Sequence, residues 1–256
     1  VAWCWKAGGA AVTNNDGSVA SQVSANTEAG FSICTWTGTG SNLTIGHGLG
    51  VKPSAHITKA RTGGSVGCDW FVYFSVLGAT TNLRLNGTSA AGTTGQSDLY
   101  NDTEPTSSVI TIGDSECINV SGGTYVTYCW TEIPGYSKFG KYTGNGSSDG
   151  VYVHLGFRPA WIMWKASSSG GSNSYQWMIV DNKRQTSNPM YYRLLANSAD
   201  VEITNPATTA YVDFVSNGFK IRGTGSLING NGVTYVYMAF AEQPGTTPFD
   251  TLTNAR

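Results

Sequence analysis

The sequence repeats itself. Gly30-Phe31-Ser32 leads to Thr37-Gly38-Thr39-Gly40-Ser41, and Gly135-Tyr136-Ser137 leads to Thr143-Gly144-Asn145-Gly146-Ser147. Gly50-Val51-Lys52-Pro53 is answered by Gly156-Phe157-Arg158-Pro159, Ala55–Lys59 by Trp161–Lys165, and Asp69-Trp70-Phe71-Val72 by Gln176-Trp177-Met178-Ile179. Thr124-Tyr125-Val126 through Glu132 returns as Thr234-Tyr235-Val236 through Glu242. The offset grows from 135 − 30 = 105 through 159 − 53 = 106 to 234 − 124 = 110, a drift that small surface insertions produce. The two halves therefore fold alike.

Within each half, apolar residues alternate or run in short blocks and never hold helical spacing for two turns. Tyr125–Trp130 and Tyr235–Phe240 are β-branched or aromatic for most of their length and read as central strands buried on both faces. Asn217-Gly218 between Val212–Val215 and Phe219–Ile221 reads as a two-residue hairpin turn with positive φ at both positions. Only 12% of residues are charged, and 33 are glycine, which suits short strands joined by polar turns. Seven or eight short strands per half is sandwich spacing. The expectation is an all-β chain of two tandem, homologous antiparallel β-sandwich, jelly-roll-like modules, at 29–134 and 135–246, with a tail over 247–256. Val1–Trp5 resembles Val126–Trp130, so residues 1–7 read as the closing strand of a preceding module, capping a sheet elsewhere. Residues 8–28, rich in Gly, Ala, Ser and Asn without an apolar period, read as a linker.

The net charge of −1 and the lack of any Lys/Arg run argue against a nucleic-acid partner. No apolar run reaches the roughly 18–20 residues of a membrane span. The five cysteines, Cys4, Cys34, Cys68, Cys117 and Cys129, have no CxxC spacing, and His47, His56 and His154 are not clustered with them. They read as free thiols packed as small hydrophobes, with no metal and no cofactor.

No catalytic set emerges. Asp114 and Glu116 sit in a turn signal, and Asp181, Asp200, Glu202 and Asp213 are scattered, so no carboxylate pair is nominated for glycoside hydrolysis. Glu132 with Glu242, and Lys59 with Lys165, recur in both halves and read as structural polar contacts. His47, in Gly46-His47-Gly48-Leu49-Gly50, can present its ring from a turn, or can simply be satisfied there. Aromatic rings are the usual platforms for sugar faces, but on central strands they are more often core. Trp70 and Trp177 are aligned and read as core in both halves. The candidate ligand-binding residues are aromatics without an aromatic counterpart: Trp161 and Trp164, three apart on a strand so that at most one is buried, and Tyr175, Tyr191 and Tyr192 at loop edges. His47 completes the set.

The run Gly-Tyr-Ser-Lys-Phe-Gly-Lys-Tyr-Thr-Gly-Asn-Gly-Ser from Gly135, followed by Gly156–Trp161, resembles a domain family of unknown function that recurs in structural proteins of marine and other tailed phages. Gly46–Gly50 with Pro53, and Val1–Gly9, are similar to the same family, so the resemblance spans Val1 to Glu242. It implies tandem modules near the C-terminus of a tail-fibre or appendage protein, a location on the virion surface, and attachment to a host glycan or receptor. It carries no catalytic residue. The leading expectation is a non-enzymatic adhesin that also packs on other virion subunits, in a homo-oligomer that fibre arrangements make a trimer. A purely structural virion protein and a glycan depolymerase are the alternatives.

Overall fold

The computed structural model describes residues 3–63, 68–92, 97–168, 175–205 and 210–242. The chain divides into two compact units, one of Ala2–Leu85 with Gly92–Glu132 and one of Ile133 onward with Asn86–Ala91.

The first unit contains β1 (Val12–Asn14), β2 (Ser21–Asn26), β3 (Phe31–Thr37), β4 (Leu43–Gly46), β5 (Ala55–Thr62), β6 (Phe71–Phe74), β7 (Leu83–Arg84), a single helical turn α1 (Ser97–Tyr100), β8 (Val109–Ile112) and β9 (Thr124–Trp130). The second contains β10 (Ser137–Thr143), β11 (Tyr152–His154), β12 (Trp161–Ala166), β13 (Met178–Asp181), β14 (Leu194–Leu195), β15 (Val212–Val215), β16 (Gly218–Ile221) and β17 (Thr234–Phe240). The larger sheets run β1-β2-β3-β9-β5-β6-β7 and β10-β17-β12-β13-β14, and the smaller ones pair β4-β8 and β11-β16-β15. Every ladder between these named strands is antiparallel, and the described residues are all-β as expected, apart from the one turn α1.

The repeat extends to register. Phe31 and Ala55 both face Trp130 across the sheet, and Ser137 and Trp161 both face Phe240. Trp36 stacks on Tyr125 at 5.4 Å between ring centres, and Tyr142 stacks on Tyr235 at 5.0 Å. In each unit the inner face of the large sheet packs on the small one. Trp36, Tyr125 and Cys129 lie against Ile45, Ile110 and Ile112, and Trp164, Tyr237 and Tyr142 lie against Val153, Val212 and Phe219. Because a sheet buries alternate residues, β9 buries Tyr125, Thr127 and Cys129, while Val126 and Tyr128 are only half-buried. Only β17 meets the expectation of a strand buried on both faces.

The repeated Thr-Gly-x-Gly-Ser stretch is a clip closed by a buried asparagine. Asn119 Oδ1 accepts the Thr39 amide at 2.9 Å, and its Nδ2 donates to the carbonyls of Ser41 and Gly113, each at 2.7 Å. Asn229 does the same to Asn145 (2.9 Å), Ser147 (2.7 Å) and Gly223 (2.9 Å).

Five expectations are corrected. Residues 8–28 are not a linker: β1 and β2 extend the first unit's large sheet past β3. Their small hydroxyls bury by bonding to backbone, Ser21 to the Gly46 carbonyl at 2.8 Å and Ser24 to that of Gly9 at 2.7 Å, so polar composition did not mean solvent. Trp3–Ala7 form no strand, although Trp5 meets Trp130 edge to face at 6.1 Å. Asn86–Ala91 belong to the second unit: Lys165 Nζ donates to the Gly87 carbonyl at 2.9 Å, and Ala91 and Ser167 bond through their backbones at 2.9 Å. Cys68 and Cys117 form a disulfide, whereas Cys4, Cys34 and Cys129 are free. The β15–β16 turn is Ser216-Asn217, since Val215 pairs with Gly218, and none of these residues has positive φ. Glycine at 218 serves close approach instead, because a Cβ there would lie 2.1 Å from the Val153 carbonyl oxygen. The tail at 247–256 lies outside the described residues.

Candidate functional site

Four of the six candidate residues are interior. Trp164 is fully buried and stacks parallel to Phe219 with centres 6.5 Å apart. Trp161, on the other face of β12, is buried against Phe240 at 5.6 Å. Strand alternation predicts that at most one of the two is buried; both are, because every residue of β12 is buried and its sheet is covered on both sides. Tyr175 is buried, and its carbonyl accepts the Lys165 ammonium. That ammonium also stands 5.6 Å from the centre of the Trp177 ring, and Lys59 repeats the arrangement over Trp70 at 6.0 Å. Desolvation lowers the pKa of Lys165 to about 8. Trp177 is fully buried, but Trp70 only half-buried.

His47 is fully buried. Its Nδ1 accepts the Leu49 amide at 3.2 Å and its Nε2 meets the Thr106 carbonyl at 3.3 Å. Burial lowers its pKa, against the opposing effects of the Thr106 contact and of Asp16. Its counterpart in the second unit is the buried Leu155: His47 N–H donates to Ser108 and Leu155 N–H to Asn217, each just past the β4 or β11 ladder.

Tyr191 and Tyr192 remain half-buried at the surface, and the fold adds a third ring, Tyr211, which sequence reasoning passed over. Tyr191 meets Tyr192 at 5.1 Å and 74°, and Tyr211 at 6.0 Å and 77°. The scaffold beneath is dense. Gln185 Oε1 accepts the amides of Tyr191 (2.7 Å) and Tyr192 (2.9 Å), and its Nε2 donates to the Pro189 carbonyl at 2.8 Å. Asn188 exchanges two bonds with the Phe214 backbone, each at 2.9 Å, as a neighbouring strand would. Met190 and Val212 bond backbone to backbone in both directions, which brings Tyr191 beside Tyr211. At the foot of the loop, Asp181 accepts the amides of Lys183 and Arg184 and the Arg184 guanidinium at 2.5 Å, which also reaches Glu202 at 2.9 Å. The 182–193 connection has twelve residues where the first unit's 75–82 has eight (193 − 181 = 12, 82 − 74 = 8). The one signal that pointed here was this interruption of the repeat.

Two further features bear on chemistry. An open cleft of about 700 Å³ lies between Lys6–Gly9 and Ala25–Glu28, without an aromatic residue in its lining. Among the described residues, no group of three or more His, Cys, Asp or Glu is placed to hold a metal ion, and no helix is long and apolar enough to cross a membrane.

Residues 1–244 match a family described as Domain of unknown function (DUF7483). The chain belongs to the DUF7483 family. The DUF7483 match runs through both repeats and the N-terminal segment in one span. No curated protein matches this DUF7483 chain. Among solved structures it is similar to the major capsid protein P2 of bacteriophage PM2, at 10% identity over 82% of this chain and 96% of that one, with a TM-score of 0.24. Similarity at that level does not establish a common fold.

Proposed function

We propose that the chain is a non-enzymatic part of a tailed-phage virion surface, a tail-fibre or appendage region, and that its second module attaches to host glycan through Tyr191, Tyr192 and Tyr211. The observation that carries this reading is the tyrosine cluster itself. Three half-exposed rings are held edge to face by a hydrogen-bonded scaffold, on the connection that departs from the repeat. The apolar face of a sugar ring stacks on such a platform, while the phenolic hydroxyls and nearby amides meet its hydroxyl groups. Loops on a rigid sheet are where binding residues collect.

A glycan array probed with the full chain tests it, followed by titration of the best ligand. Tyr191→Ala and Tyr192→Ala are expected to weaken binding by about tenfold or more, given about 1.5 kcal/mol per aromatic contact. Trp164→Ala, by contrast, is expected to lower stability by about 3–5 kcal/mol. A folded chain that binds no glycan overturns the proposal. Release of reducing ends from host polysaccharide would replace it with a depolymerase.

One observation favours a second reading, packing on other virion subunits alone: Val201 is 86% exposed. Extended or trimeric assemblies under the microscope, without glycan binding, would support it.

A further inference from the structure

The repeat provides an internal comparison for every strand edge, and at one of them the two units differ. In the first unit the outer edge of β4 is covered by the stretch Gly17–Ser21, which runs parallel to it with Val19 opposite Ile45. Ser18 N–H donates to Thr44 Oγ1 at 2.8 Å, Thr44 N–H to Ser18 Oγ at 2.9 Å, and Val19 N–H to the Thr44 carbonyl at 3.2 Å. The Ser21 hydroxyl closes the Gly46 carbonyl at 2.8 Å. Approach is so close that a Cβ at Gly17 would lie 2.2 Å from the Thr44 carbonyl oxygen. All the outward-facing backbone acceptors of β4, and the Thr44 donor, are satisfied.

The counterpart of β4 is β11. Val153 faces Phe219 in the ladder, while Leu155 N–H donates to Asn217 and Ile221 N–H to Val151 on either side. In an antiparallel pair this pattern turns the backbone groups of Tyr152 and His154 away from β16. The chain passes from β9 to β10 through 131–136 alone, too short to supply a covering strand. Among the described residues, only the His154 carbonyl is met on this side, by Lys138 Nζ at 3.0 Å, where the first unit uses Ser21. Tyr152 and His154 are exposed, and their side chains bond to each other at 3.2 Å, with Tyr152 also donating to Asn217 Oδ1 at 2.7 Å. An open strand edge is a template for a further strand.

We infer that the outer edge of β11 is a docking site for an extended, glycine- and serine-bearing segment of a partner chain, laid parallel to it as Gly17–Ser21 is laid on β4. Backbone bonds to Tyr152 and His154 supply the affinity, and glycine is required where the segment crosses the Tyr152 carbonyl. The site is separate from the tyrosine cluster and does not depend on it.

The test uses the full chain and a synthetic peptide of residues 15–26, with amide exchange followed residue by residue. In the chain alone the Tyr152 amide is expected to exchange at least about tenfold faster than that of Thr44, which Ser18 protects. Added peptide should slow Tyr152 and His154 saturably. Tyr152→Pro removes the outward donor together with the exposed phenol's bonds to His154 and Asn217, and leaves the Val153–Phe219 pair intact. It should abolish the effect while circular dichroism holds, and Tyr152→Phe, which loses the same hydroxyl bonds but keeps the donor, should still bind. Protection of the Tyr152 amide without peptide, no slowing at millimolar peptide, slowing confined to the Thr44 region, or undiminished binding by a folded Tyr152→Pro chain would each overturn the inference.

Discussion

The imidazole of His56 lies face to face with the phenol of Tyr73, ring centres 4.7 Å apart and planes 14° from parallel. Tyr100 meets the imidazole edge-on at 5.1 Å, and neither His56 nitrogen nor the Tyr100 hydroxyl has a hydrogen-bond partner among the described residues. In the second unit the equivalent cross-strand pair is Ile162 and Val180. The sheet therefore does not need a histidine there.

Burial lowers the pKa of His56 from 6.5 to about 3, with His47 acting in the same direction and Glu104 against it. A folded-state pKa below the unfolded one means the stabilisation is fully present above pH 6.5 and drains away as pH falls toward 3. The interval corresponds to about 5 kcal/mol. His47 shifts the same way, and Glu104, which Lys52, Tyr73 and the Ala79 amide hold low, also loses stabilisation in acid. The decisive measurement compares His56→Ile with the parent in urea at pH 7 and pH 4. The variant is expected to lose markedly less stability between them, and an equal loss refutes the role given to His56.

Removal of the buried clip should cost more than its size implies. Asn229→Ala leaves the Ser147 and Gly223 carbonyls and the Asn145 amide without their partner, for about 2–4 kcal/mol in total. Asn119→Ala should cost a similar amount in the first unit. Denaturant titration reads both, and a loss under about 1 kcal/mol would mean that water replaces the amide.

The disulfide belongs to the first unit, and all five cysteines fall at or before residue 129. Cys68 and Cys117 are 49 residues apart, and closing such a loop contributes about 4 kcal/mol by the chain-entropy estimate. Reductant, or the double change Cys68→Ser with Cys117→Ser, should lower the melting temperature of the first unit and leave the second unchanged. The Cys129 thiol is no substitute nucleophile, because burial and the neighbouring Cys34 push its pKa up. Differential scanning calorimetry, with and without reductant, resolves the two.

Much of the architecture was legible because the repeat was. Matched segments such as Asp69–Val72 with Gln176–Ile179 fall on matched strands, and strand order and register then follow the same rule twice. Composition misled at residues 8–28, where serine and alanine looked like linker but lie small enough to pack on a sheet and bond its carbonyls. Strand periodicity misled at Trp161 and Trp164, since alternation tells two faces apart but not whether both are covered. Of the candidate site, Tyr191 and Tyr192 were in view from their place in an interrupted repeat. Tyr211 was not, because about twenty residues separate it from them and only the Met190–Val212 bonds bring it near.

By itself the sequence determined that this chain is all-β, that it is built twice from one unit, and where most of those strands lie. These are consequences of local patterning, which each residue carries with it. The tertiary structure alone decided which aromatics reach the surface, which two cysteines meet, and which strand edge is left uncovered among the described residues. Each of those depends on what arrives from elsewhere in the chain to exclude water or satisfy a backbone group, and no local pattern records it.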